Sequence, residues 1–275
     1  MHKFLRAIGF SDITKKDLEM ILDEVITRPE IMKITKDSEG NEFAELSGSF
    51  AANAGITVRG TYQEDDSFHM DYYYPYVFGT SITTNEQIDV EKHAEKESYA
   101  GVCDEVNLGV TLIFYIQNVA DYLAETNRHL SKIHYGAMLA GLSTEGKILC
   151  PVVERKKNDV PAIQKNDRHN QLIAQAREGD EDAIESLTLE DMDTYALLSQ
   201  RVMKEDIFSI VKSTFMPFGI ESDQYTVLGE IIDCVTMENR LTHEKLYGMK
   251  LLCNNIQFDV CINEKDLLGE PAIGR

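Results

Sequence analysis

A chain of 275 residues can form one large or two modest domains, and 43% hydrophobic with 27% charged residues is an ordinary folded composition, which sets aside disorder and fibre. Asp and Glu total 47 against 27 Lys and Arg, a formal net charge of −20. A field of that sign repels phosphate backbones and anionic lipid, so nucleic-acid and membrane partners are disfavoured from the outset.

In chain order, residues 3–10 read as a short first strand. Thr14 then offers an N-cap with Asp17 three residues on, and Leu18, Ile21, Leu22, Val25 and Ile26 follow at helical spacing. A helix is predicted over 15–27, stopping before Pro29. Two hairpins follow: 31–35 with 43–49 around a turn at 37–41, and 56–63 with 68–78 through an acidic turn at 64–67. In the last strand Phe68, Met70, Tyr72, Tyr74 and Tyr76 are expected on one face, and His69, Asp71 and Tyr73 on the other. Pro75 removes a backbone donor, which puts this strand at an edge or a bulge.

Residues 81–98 are polar and read as loop or weak helix, and the apolar run at 106–117 as a central strand. A helix is expected over 119–130, then a hairpin pairing 135–142 with 147–153. Composition changes at 154–169, where Arg155, Lys156, Lys157, Lys165, Arg168 and Pro161 mark an exposed connector. Helical patterns fill 170–178, 181–187 and 189–214, punctuated by Gly179 and Pro217. Three strands close the chain, at 225–237, 245–253 and 256–262. In the last, Ile256, Phe258, Val260 and Ile262 alternate with Gln257, Asp259, Cys261 and Asn263. Asn254 and Asn255 suit the tight turn before it, because asparagine tolerates the left-handed conformation.

The expected architecture is α+β. An antiparallel or mixed sheet with helices on one face occupies 1–155, and a linker 156–169. A helical segment follows at 170–218, and a small β-meander or partly open barrel at 219–275. Since the chain stops soon after Pro271, such a barrel is expected to lack a closing strand.

The common catalytic and nucleotide motifs are absent: there is no G-x-G-x-x-G, G-x-x-x-x-G-K-[ST], H-E-x-x-H, G-x-S-x-G or EF-hand loop. Five cysteines at 103, 150, 234, 253 and 261 contain no C-x-x-C pair, so neither a disulfide framework nor a structural zinc site is expected. The opening ten residues hold no apolar run of signal-peptide length, and the apolar run at 110–116 is too short to span a bilayer. A reducing cytoplasm is the expected location, without membrane attachment.

The eight carboxylates of 178–193 are read as solvated residues at helix starts, where they favour the positive end of the dipole. His69 and Asp71, with His93, Glu97, Cys103 and Asp104 downstream, are residue types able to hold a cation or exchange protons, but nothing in their spacing fixes a geometry. Tyr72, Tyr74 and Tyr76 form the most suggestive group: aromatic rings in a row either complete a core or present a partner surface. No cofactor is expected.

Three phrases carry a resemblance: Met-His-Lys-Phe-Leu-Arg-Ala-Ile-Gly-Phe at 1–10, Gly-Ile-Glu-Ser-Asp-Gln-Tyr-Thr-Val-Leu-Gly-Glu-Ile at 219–231, and Ile-Asn-Glu-Lys-Asp-Leu-Leu-Gly-Glu-Pro at 262–271. With them the chain resembles, over nearly its whole length, a bacterial family known only as a domain of unknown function. The resemblance implies a bacterial cytosolic origin and carries over no functional residues. The expectation is therefore a non-enzymatic module that binds a protein partner or a small ligand. Two alternatives stand beside it: an enzyme with a site assembled from scattered His, Asp and Glu, and a single-strand nucleic-acid binder using the C-terminal barrel with the tyrosine row.

Overall fold

The structure, a computed structural model, describes residues 1–93, 96–128, 134–149, 213–219 and 223–275. The chain divides into two compact units, Met1–Cys150 with Ser213–Arg275, and Pro151–Lys212. Every described element belongs to the first unit. The linker expected at 156–169, the helices expected over 170–212 and the acidic run at 178–193 lie outside the described residues.

Residues Lys3–Ile8 form a 3₁₀ helix where a strand was expected. It ends at Gly9, whose φ of 92° lies in the left-handed region open to glycine, and whose N–H donates to the Arg6 carbonyl. A Cβ there would stand 2.6 Å from that of Asn239, so the position requires glycine twice over. The predicted helix, α1, spans Lys15–Thr27. Its capping box is complete: the Thr14 hydroxyl accepts from the Asp17 N–H at 3.2 Å and the Asp17 carboxylate accepts from the Thr14 N–H at 2.9 Å. Thr14→Ala is expected to cost about 1 kcal/mol, read as a lower urea midpoint at unchanged slope.

Strands β1 (Ile31–Lys36), β2 (Glu42–Ala51), β3 (Ala54–Tyr62) and β4 (Phe68–Val77) form an antiparallel meander in that order, so the strand carrying Pro75 is indeed an edge. One face of β2 and β3 packs Ala44, Leu46, Ile56 and Val58 against Leu18, Ile21, Leu22 and Val25 of α1. The other face packs Phe43 against Val119, Ala120 and Leu123 of helix α2 (Val119–Asn127). Helices therefore cover both faces, in place of the one expected. The reason is local: β2 buries both sides of its pleat, Ala44, Leu46 and Phe50 on one and Phe43 with Glu45 and Ser47 on the other.

A second sheet runs β7-β6-β5-β8, from β5 (Thr84–Lys92), β6 (Tyr99–Glu105), β7 (Val110–Tyr115) and β8 (His134–Ala137). Two expectations change here. Part of the polar stretch at 81–98 is strand β5, whose Thr84 and Ile88 are buried while most of its other side chains meet solvent. The apolar run at 106–117 supplies an edge strand instead of a central one, and the Tyr225 hydroxyl closes that edge by accepting from the Ile113 N–H at 2.7 Å.

Beyond β8 the expected hairpin does not form among the described residues, and 150–153 lie outside them. Strand β9 (Ala140–Ser143) and the two-residue β10 (Gly146–Lys147) each take a distant parallel partner. Thr214–Pro217, read as the end of the helical segment, is strand β11, paired with β12 (Tyr225–Leu228). The C-terminal strands β13 (Glu230–Glu238), β14 (Lys245–Cys253) and β15 (Ile256–Asn263) form the expected meander. Asn254 and Asn255 have φ of 45° and 68°, the double left-handed turn that their sequence favours.

No barrel closes among the described residues: β15 pairs with β9, and the sheet is open in the order β13-β14-β15-β9. The short β16 (Leu267–Leu268) pairs with β10. Residues 219–275, expected to stand as a small domain, share a sheet with β9 and a core with the N-terminal helices. Met237, Leu246 and Cys261 sit in one apolar cluster with Leu5, Ile8, Phe10 and the α1 stripe. The turn between β13 and β14 is also tied across: the Asn239 amide donates to the Ile8 carbonyl at 2.7 Å, and the Arg240 N–H to the Phe50 carbonyl at 2.7 Å.

Candidate functional site

The tyrosine row is built by a backbone irregularity that periodicity alone does not show. Between β3 and β4, Arg59 pairs with Tyr72 and Gly60 with Met70, which leaves Asp71 as an extra residue. This bulge reverses the alternation, so Phe68 and Tyr73 both pack against the α1 core, while Tyr72, Tyr74 and Tyr76 lie on the opposite face. His69, opposite Thr61, joins that second face. The expected continuous row from Phe68 to Tyr76 is thus two half-rows on two faces.

On the second face sits Arg59, buried with Glu45. The guanidinium donates to Glu45 Oε2 from Nε at 2.9 Å, with Nη2 2.8 Å from the same oxygen, and donates to the Tyr72 hydroxyl at 2.8 Å and to the Tyr74 hydroxyl at 2.7 Å. It also reaches the Gln117 carbonyl at 2.8 Å and the Ile116 carbonyl at 3.1 Å, at the start of α2. Each phenol passes a bond onward: Tyr72 donates to the Glu97 carbonyl at 2.6 Å and Tyr74 to the Gln117 carbonyl at 3.0 Å. Burial pushes both phenols above their ordinary range, so they remain protonated donors. Burial likewise pushes the Glu45 carboxyl up, against the pull of the guanidinium. Tyr76 is 1% exposed and bonds Ser49. Arg59 and Tyr74 hold the β1–β4 sheet to the segment entering α2, Tyr72 ties it to the backbone at Glu97, and Tyr76 bonds within the sheet.

The other candidate residues are dispersed. Glu97 is a buried anchor that accepts from Ser38, Lys92 and Tyr99. Asp71 lies 3.9 Å from Lys96, His93 stacks edge-on with Tyr115, Cys103 is buried, and Asp104 accepts from Thr111. Among the described residues no group of three or more His, Cys, Asp or Glu is placed to hold a metal ion. Burial raises the Glu97 carboxyl, but the hydrogen bonds from Ser38, Tyr99 and Lys92 outweigh it and hold the group below the usual carboxylate range. A depressed value stabilises the fold above the unfolded-state pKa of about 4.3, and that contribution is lost as pH falls through the folded value. Glu97→Gln is therefore expected to be less stable than the parent at pH 7, with the gap in urea midpoints closing toward pH 3.

An open groove of about 460 Å³ lies elsewhere, between α1 and the turn joining β13 to β14. Its floor is apolar, built by Phe10, Ile13 and Ile21. Met20 and Leu241, 55% and 43% exposed, stand on its two lips. Four carboxylates line it, those of Asp12, Asp17, Glu24 and Glu244, and no Lys or Arg does. Local sequence explains the arrangement: Asp17, Met20 and Glu24 recur at helical spacing beside the buried stripe that contains Ile21, and the Asn239 side chain fixes the opposite wall by accepting from the N–H groups of Leu241 and Thr242. Burial raises the Glu244 carboxyl, yet bonds from Lys265, Ser11 and Asn263 prevail and depress it, so it is ionised at neutral pH.

A family described as "Domain of unknown function, E. rectale Gene description (DUF3881)" matches residues 5–275. The chain belongs to this family. No curated protein and no solved structure matches it.

Reading the DUF3881 sequence by motif misses this groove, because its walls come from residues more than two hundred positions apart. One signal was available. Met20 breaks the polar side of α1 with an apolar residue outside the buried set of Leu18, Ile21, Leu22 and Val25. Nothing comparable marks Leu241, which sits in a turn.

Proposed function

We propose that this chain is a non-enzymatic binding protein whose contact surface is the groove between α1 and the β13–β14 turn. One observation carries the reading: the groove holds apolar side chains open to solvent on a rigid frame, with Met20 on a capped helix and Leu241 on a turn fixed by Asn239. The tyrosine row, by contrast, is engaged: Tyr72 and Tyr74 with Arg59 and nearby backbone carbonyls, and Tyr76 with Ser49. The described part of the chain contains no helix long and apolar enough to cross a membrane. The barrel needed for a single-strand nucleic-acid reading is not formed among the described residues, and the acidic lining repels phosphate.

The test is site-specific photo-cross-linking in cells, with p-benzoylphenylalanine replacing Leu241 in one variant and Glu270, an exposed residue outside the groove lining, in another. A second polypeptide or a small-molecule adduct captured at 241 and not at 270 is the expected outcome. Equal capture at both positions, or none at 241, counts against the groove as the contact surface.

A further inference from the structure

Resting on that reading, the geometry points to a specific occupant: a cationic amphipathic segment of a partner protein, helical when bound, that lays Leu-, Ile- or Met-type side chains on the apolar floor and presents Lys or Arg to the rim. The first argument is charge. Four carboxylates line the groove, and the cations bonded to them come from outside the lining: Arg240 meets Glu24 at 3.0 Å, and Lys265 meets Asp12 at 3.1 Å and Glu244 at 2.7 Å. Four negative groups against two positive ones leave a net charge of about −2 at the site, within a chain of net charge −20. Both cations are about half exposed, with side-chain exposures of 47% and 53%, and the Arg240–Glu24 and Lys265–Asp12 pairs, exposed on both sides, are of the weak surface kind. An incoming Lys or Arg therefore competes for Glu24 and Asp12 at small cost, and the field of the whole chain accelerates its encounter.

The second argument is length. Asp17 and Glu24 are seven residues apart on α1, two turns and about 10.5 Å of rise, with Met20 and Ile21 between them. A partner helix with basic residues at i and i+7 and apolar ones at i+3 and i+4 matches that spacing term for term. A bare polyamine meets the carboxylates but leaves Met20 and Leu241 in water. An anionic segment covers the floor but meets the rim as like charge.

The experiment is fluorescence anisotropy with labelled synthetic helices and the full chain. The probes are a Lys/Leu peptide with the i, i+3, i+4, i+7 stripe, its scrambled isomer, and a Glu/Leu peptide with the same stripe. Two double variants of the chain accompany them, Met20→Ser with Leu241→Ser and Asp12→Lys with Glu24→Lys, each checked for an unchanged thermal transition. Expected are saturable binding of the striped Lys/Leu peptide that weakens with salt, and a loss of about tenfold or more for the scrambled peptide and for each double variant. Equal binding of striped and scrambled peptides, displacement by spermine that the Met20/Leu241 variant does not alter, or preference for the Glu/Leu peptide would each overturn the cationic occupant. Capture at position 241 of a segment without basic residues would overturn it too while leaving the binding reading intact. Absence of capture at 241 removes both.

Discussion

Arg59→Met is expected to destabilise the first unit by about 3–5 kcal/mol, the range for removing one member of a buried ion pair. The substitution keeps most of the side-chain volume, so the loss is electrostatic: Glu45 stays buried without its cation, and the carbonyls of Ile116 and Gln117 lose a donor. Without the pull of the guanidinium, the Glu45 carboxyl, already raised by burial in the parent, rises further. A raised carboxyl stabilises fully below the unfolded pKa and loses that contribution as pH rises, so the deficit of the variant relative to the parent should shrink between pH 7 and pH 5. Adding Glu45→Met removes the stranded charge, and the double variant should be more stable than Arg59→Met alone. Urea unfolding of the parent and three variants at both pH values decides it. A deficit below about 1 kcal/mol, or one independent of pH, would show that the network contributes little.

The same residues show how far sequence carries. Helix α1 is legible to the residue because its cap, its stripe and the proline behind it are all local. The hairpin at Asn254 and Asn255 is legible for the same reason. Tyr72, Tyr74 and Tyr76 were visible as a group, but the bulge at Asp71 that sets their face depends on how β3 meets β4, and Arg59 gave no sign that it would be their partner. Partner choice escaped wherever it was long-range. The turn after Ser143 is a plausible hairpin by composition, yet β9 pairs with β15, more than a hundred residues away, because the ladder of β15 was open there. Strand β5 was hidden by its polarity, having few apolar residues to show a period. The groove escaped because Leu241 and Met20 meet only when the chain has closed on itself.

That closure carries the second large effect. Leu246 is 0% exposed in β14, in the cluster that joins the C-terminal meander to Leu5, Ile8, Phe10 and the α1 stripe. Leu246→Ala should cost about 2–5 kcal/mol, the lost transfer energy plus a cavity that the surrounding strands on both sides hold open. If residues 219–275 folded alone, the loss would stay within them. Because the core is shared, native-state hydrogen exchange should show slow amides of β2 and β3 losing as much protection free energy as those of β14 and β15, through one common opening. Val235→Ala, on the exposed side of β13 at 54% exposure, should shift neither set by more than about 0.5 kcal/mol. Loss of protection confined to β14 and β15 would mean that the two halves open independently, and the groove between α1 and the β13–β14 turn would then lose the rigid frame on which its binding role depends.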